Sequence, residues 1–565
     1  MMLRWLSLSM LVSLGGVALA CGSSSSSGNS ADGCTPGSSC NTCSNCYELC
    51  ICSTGSDQGC QVACDMTGVG GGTTGGTGGG YPVGGTGGGG GTSTGGGGGT
   101  TPTGGLATAV SISEIAIFQG VKVSLMNGGN APAPNAPVVA DREATIRVYV
   151  SPQADYQPRE IVARVELGGS VPGAYDAKAY IGGASNDADA NSTLNVQIPP
   201  NVIKPDTTYK VSLFESAGTY PGSVNGAEWG AAPLGAQTMN GVMEVILVPV
   251  SIGGIVPKTD ATSIKAYHDR LMKLYPVPEV DIQVRAVATY TGTKPAASGQ
   301  GWDSLLNWLM QLRSYDKPPG RKYYYGVIAP ASSFQTFCGF GCVAGLSSQT
   351  QAQDDPIYRV GSGVGFFPSG TTPSSPDTMA HEVGHTAGLG HAPCVPPGSQ
   401  IQGVDPNYPY SGASIGTWGW DLYTKNYLDP AKYKDMMSYC DPYIHVADWT
   451  FDKLFKRIAY TNATGDVAVP SDPDRAPGMF DSLLVKDDGS LEWGYPIDSP
   501  WWTKAEKKDV ELTDENGQVV GKVTGFWYPH DHGSGGTLLV RQKNLLGNPA
   551  AQTLKVAGAT LALAH

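Results

Sequence analysis

The stretch that most constrains this chain is His381-Glu382-Val383-Gly384-His385-Thr386-Ala387-Gly388-Leu389-Gly390-His391. Histidines four positions apart project from one face of a helix, with Cβ atoms about 5–6 Å apart. Both imidazoles therefore reach a single metal ion. Glu382 follows the first histidine and lies beside the metal, where a general base is needed. Gly388 has no Cβ and takes the left-handed conformation that ends a helix. The chain turns there, and His391 returns as a third nitrogen ligand. Three neutral imidazoles leave the fourth tetrahedral position for water, the plan of a catalytic zinc site and not of a structural one. Three of the chain's 8 histidines fall in this stretch, which argues against ordinary helix and loop histidines.

The fixed residues, HExxHxxGxxH, resemble those of the metzincin clan of zinc metalloproteases. The clan's second mark is a methionine turn beneath the metal. Asp435-Met436-Met437-Ser438-Tyr439-Cys440 looks like that turn, with Met437 as its methionine. Tyr439 matches the tyrosine that caps the metal or steadies the transition state in astacin-like and serralysin-like members. The resemblance covers about residues 246–465 and implies an endopeptidase acting on extracellular proteins, with Zn2+ on His381, His385 and His391. Glu382 is then the base that activates water and returns the proton to the leaving amine. Tyr439 donates to the developing oxyanion. Ala392 follows the third histidine, so the clan carries over and no subfamily does. More distantly, the chain is similar to secreted bacterial metzincins with a β-rich domain ahead of the catalytic one, some of which cleave mucin-type glycoproteins. Two rival classes remain: a surface-attached binding protein with a vestigial zinc site, and a zinc hydrolase of non-peptide substrates. Assaying proteolysis with and without a chelator separates the protease from the binding protein, and a hydrolase of non-peptide substrates would show chelator-sensitive activity without peptide cleavage.

Residues 1–20 read as an export signal: Arg4, an apolar run from Leu6 to Val17, then Ala18-Leu19-Ala20 as a small-residue cleavage site. The apolar run is too short to span a bilayer. Cys21 follows directly, as in a bacterial lipobox, although Ala18 stands where leucine is usual. Plain secretion after Ala20 is the alternative. Parity favours the lipoprotein, because removing Cys21 from 13 cysteines leaves an even number for disulfides. Membrane attachment is then expected only through a lipid on Cys21, on a cell-surface or outer-membrane monomer. The formal net charge of −13 argues against a nucleic-acid partner and leaves a protein or glycoprotein substrate.

A Ser-rich tether, 21–33, leads to Cys34, Cys40, Cys43, Cys46, Cys50, Cys52, Cys60 and Cys64. Such density in an exported chain is a disulfide framework replacing a core that 34–64 is too short to build. A zinc cluster on Cys40-x-x-Cys43-x-x-Cys46 competes, but no histidine accompanies it. Residues 65–105 are Gly with Thr and little else, a coil with a reach of roughly 35 Å.

The expected fold is multidomain α+β, with a zincin-type catalytic domain at 242–465. Residues 106–241 alternate apolar and polar in short runs, as in Val121, Val123 and Leu125 or Ile146, Val148 and Val150, and suggest an antiparallel β-sandwich. In the catalytic domain, strands are expected at 242–250, 280–287, 323–329, 343–347 and 357–366, and helices at 260–274 and 302–312. The metzincin resemblance implies an edge strand that aligns substrate, assigned here to 343–347. Trp418 and Trp420 are expected to pack the lower part, and a closing helix carries Trp449, Phe451, Leu454, Phe455 and Ile458. Cys394 lies three residues past His391 and Cys440 three past Met437. A Cys394–Cys440 bridge would clamp the ligand loop to the methionine turn, leaving Cys338 to Cys342. Residues 466–565 form a small β-domain, in which His530 and His532 read as an exposed Gly-rich loop in preference to a His-x-His metal pair.

Overall fold

In Thr208–Glu215 the side chains of Tyr209, Val211 and Leu213 are buried while Lys210 is not, the period of two that a half-covered strand requires. The same alternation builds two four-stranded antiparallel sheets in a computed structural model of the chain. The structure describes residues 102, 104–339, 341–349, 355–372, 374–395, 402–440, 442–464 and 471–563. The export segment, Cys21, the tether, the cysteine-rich module and nearly all of the Gly/Thr run lie outside these residues. One sheet orders Lys122–Asn127, Val110–Phe118, Ala144–Pro152 and Leu194–Ile198; the other orders Gly173–Ile181, Arg159–Gly168, Thr208–Glu215 and Glu228–Pro233. Ile115, Ile146 and Val148 from the first and Ile161, Val165 and Val211 from the second are fully buried in one apolar core. This is the face-to-face packing of a sandwich.

The apolar run at Met243–Ile252 is buried on both sides, because it lies inside a largely parallel sheet. That sheet runs Val280–Val284, Met243–Ile252, Tyr323–Ile328, Val360–Val364, Gly345–Ser347, and only the last is antiparallel to its neighbour. The strand expected at 343–347 is thus shorter and sits at the sheet's end. Asp260 caps Ala261–Leu274 by accepting from Ser263 N at 2.9 Å. Trp302–Asp316 covers another part of the sheet, and Ser375–Thr386 carries the histidine motif. Gly345 admits this last helix closely: a Cβ there would stand 2.4 Å from Glu382 Oε1.

Among the described residues after His391, only two-residue strands and a 3-10 turn appear until the closing helix Asp448–Thr464. Trp420 is fully buried and Trp418 packs against the same core. Phe451, Leu454, Phe455 and Ile458 join the sandwich core, which makes one apolar body of the two parts. The remaining residues build an eight-stranded, antiparallel sheet that includes Gly478–Val485, Gly536–Arg541, Val519–Pro529 and Glu506–Thr513. Phe480, Phe526 and Leu539 of this sheet share a core with Trp302, Leu305 and Leu309. The described chain is therefore mostly β, with six α-helices.

Candidate metal centre

His381 and His385 lie one turn apart on Ser375–Thr386. The helix ends as the sequence requires. Gly388 adopts φ 89°, its N–H reaches His385 O at 2.7 Å, and Leu389 N reaches Gly384 O at 3.1 Å. This pair of bonds satisfies the last helical carbonyls and reverses the chain. His391 is then fixed by backbone pairing with the next loop, His391 N to Gly403 O at 2.9 Å and Asp405 N to His391 O at 2.9 Å.

Each imidazole is oriented by a carbonyl that can only accept. His381 Nδ1 lies 2.8 Å from Met436 O, His385 Nδ1 2.9 Å from Leu389 O, and His391 Nδ1 2.5 Å from Gln402 O. Nδ1 therefore carries the proton in all three rings, and each Nε2 lone pair is left as an acceptor. Those lone pairs converge: His385 Nε2 is 3.0 Å from His381 Nε2 and 3.1 Å from His391 Nε2. Burial, first among the causes, lowers the histidine pKa to about 3 for His381 and about 4 for His391. It holds His385 well below its ordinary value too. Three neutral, buried acceptors facing one another repel unless a cation lies between them, so this donor set fits a metal ion.

The turn 435–440 does two jobs here. Met436 supplies the carbonyl that orients His381. Met437 packs against the helix at Gly384, where a Cβ would come within 2.7 Å of its sulfur. Asp435 shapes the turn by accepting from Met437 N and Ala447 N, each at 2.8 Å. The Cys394–Cys440 bridge ties the ligand loop to this turn, and Cys338 is joined to Cys342. Tyr439 reaches the cluster, its hydroxyl 2.9 Å from His391 Nε2. Burial and then the charges of Asp531 and Glu382 raise the phenol pKa, so Tyr439 stays protonated and able to donate.

Glu382 is buried beside the cluster, and its Oε2 accepts from Ser347 Oγ at 2.7 Å. Burial and the charge of Asp531 raise its pKa well above the carboxylate range. A divalent cation next to both carboxylates would reverse that balance.

Asp531 and His532 correct the expectation of an exposed loop at this point. Asp531 is 1 % exposed, His530 6 %, and His532 only partly accessible. Residues 529–531 pair with the end of the edge strand, which brings His532 Nδ1 to 2.7 Å from Tyr439 Oη. His530 points elsewhere, with Nε2 3.3 Å from Thr537 Oγ1, so the His-x-His pattern does not converge. Asp531 and the Ser347 hydroxyl are site groups that sequence reasoning missed, and His532 enters the sequence reading only as half of a His-x-His pair. Two histidines flanking an aspartate were the available signal.

Residues 344–447 match the model of the Peptidase M66 family, a family of metallopeptidases. The match begins beside the edge strand and ends before the closing helix, and so spans the histidines, Glu382, the methionine turn and Tyr439. The match supports a peptidase domain in this part of the chain. No curated protein matches the chain.

Proposed function

We propose that the chain is a zinc endopeptidase of metzincin type, exported and tethered to the cell surface through Cys21. It would act on extracellular proteins or glycoproteins. The observation that carries the reading is the convergence of three Nε2 lone pairs whose rings are each locked by a backbone carbonyl. His381, His385 and His391 would hold Zn2+. When bound, the ion polarises the scissile carbonyl and makes a nearby water more acidic. The edge strand Gly345–Ser347 would align an extended substrate through its backbone groups. Glu382 accepts the proton of the attacking water and delivers it to the leaving amine nitrogen. Ser347 Oγ fixes the carboxylate for that transfer. Tyr439 donates its hydroxyl proton in a hydrogen bond to the oxygen that gains charge.

The test is metal analysis of the purified chain together with Glu382→Gln. One bound zinc per chain is expected. The variant should retain that zinc and lose about 10²–10⁴-fold in kcat for protein cleavage. Metal-free material of full activity, or a variant as active as the native chain, would end this assignment.

A further inference from the structure

The turn 530–535 joins Val519–Pro529 to Gly536–Arg541 and carries Asp531 into the centre of the site. Asp531 Oδ1 accepts from Ser347 N at 2.9 Å. Its Oδ2 is buried without a hydrogen-bond partner, 3.5 Å from His385 Nε2 and 3.3 Å from His532 Nε2. With only ring nitrogens and the Glu382 carboxyl around it, this buried carboxylate points to a cation that satisfies it. Donor atoms around a tetrahedral zinc stand about 3.4 Å apart, given bond lengths of about 2.0–2.1 Å. The separation of Oδ2 from His385 Nε2 matches one such edge, and Asp531 also lies within metal-ligand reach of His391.

We propose that Asp531 is a fourth protein ligand of the metal centre and that the turn 530–535 holds the enzyme closed. The proposal rests on the metal-binding reading above. Three functions are blocked by the same turn. Asp531 takes the coordination position that water needs in a catalytic zinc site. Gln349 N donates to Pro529 O at 3.0 Å and Asp531 N to Ser347 O at 3.1 Å, so these outward groups of the edge are already paired. An extended peptide adding to that edge must displace them. Finally, His532 engages the hydroxyl of Tyr439 at 2.7 Å and stacks on His391 with centroids 5.5 Å apart. Tyr439 is thereby turned from a substrate oxygen.

The sheet behind the turn is anchored to Trp302–Asp316 through Phe480, Phe526 and Leu539. Opening therefore concerns the turn and not the whole sheet. Its base is pinned where Asp487 Oδ1 accepts from Ser534 N at 2.8 Å and from Gly535 N at 2.9 Å. Gly533, at φ 80°, supplies a backbone position that a side chain would strain.

The experiment uses the full chain loaded with Co2+, whose visible spectrum reports the ligand set. Native protein, Asp531→Ala and Asp531→Asn are compared; the Asn form keeps the acceptor for Ser347 N and guards against misfolding of the Ala form. The native spectrum should respond little to acetohydroxamate, whereas both variants should show a shifted band and bind the hydroxamate about tenfold more tightly. Zinc affinity by chelator competition should fall about 10–100-fold in the variants. Their turnover of a protein substrate should rise. Tight hydroxamate binding by the native chain, or variants whose spectra equal the native one, would overturn the assignment. Variants with an opened cobalt site that cleave no protein would leave Asp531 as a ligand and remove the peptidase reading instead.

Discussion

Two β assemblies flank the metal centre, and they are attached in different ways. The sandwich shares a continuous apolar core with the closing helix, from Ile146 and Val148 to Phe451 and Leu454. Its buried Arg142 reaches across to the C-terminal end of Ala261–Leu274, donating to Met272 O at 2.5 Å, Tyr275 O at 2.8 Å and Val277 O at 2.5 Å. A cation is favoured there, since unsatisfied carbonyls and the helix dipole both attract it. The eight-stranded sheet also has an apolar anchor, on Trp302 and Leu305, but it sends Asp531 and His532 into the site itself. One assembly braces the catalytic part from behind. The other supplies groups to its chemistry.

The comparison breaks most visibly at Arg142. In Arg142→Met the apolar stem is replaced, but Gln119 O and the three helix-end carbonyls lose their donors within the core. Stability should fall by about 3–5 kcal/mol, the cost of removing one side of a buried charged network. The molecules that remain folded should bind zinc as the native chain does. Denaturant unfolding read alongside zinc titration checks both halves. A large loss of metal affinity at full folding would mean that the brace reaches the site after all.

The front attachment should respond to pH. Asp355 is buried between the parallel sheet and the eight-stranded sheet, with Oδ2 accepting from Lys504 N at 2.7 Å and from Tyr528 Oη at 3.1 Å. Burial outweighs those bonds and raises its pKa to about 6. The unfolded chain releases this proton near pH 4, whereas the folded chain keeps it until about 6. Stability from this group is thus full below pH 4 and is lost as pH rises toward 6, by about 3 kcal/mol at most. Asp435 has its pKa raised by burial to about 6 and adds in the same direction. Unfolding free energies measured from pH 4 to 6.5 for the native chain and Asp355→Ala should show the slope reduced in the variant. An unchanged slope would place the titrating group elsewhere.

How far the sequence disclosed this arrangement depends on range. His381, His385, Gly388 and His391 were readable because helical period and one helix-ending glycine fix their relations within eleven residues. The sandwich strands were readable for the same local reason, as in Tyr209, Val211 and Leu213. The orienting partners of the histidines were not, since Met436 O and Gln402 O are backbone atoms with no side-chain signature. Asp531 was hidden differently. Its local context, His-Asp-His-Gly-Ser-Gly-Gly, is that of an exposed turn; only pairing with Ser347, separated by 184 positions, buries it. Long-range strand pairing leaves little trace in composition.

The smallest expected effect lies where the two fronts meet, at Ser347. Its Oγ donates to Glu382 Oε2 while its backbone N–H holds Asp531, so one residue serves both the base and the turn. Ser347→Ala removes the first bond and keeps the second, because the backbone is untouched. A hydrogen bond to a charged acceptor contributes about 1.5–3 kcal/mol, but Glu382 remains held by helix packing against Gly345. A loss near 1 kcal/mol, or roughly fivefold in kcat with KM unchanged, is the expected result. Zinc affinity should not move, because the histidines and Asp531 keep their contacts. If zinc affinity falls instead, Ser347 acts mainly through the turn, and the division between bracing and chemistry must be redrawn inside the edge strand.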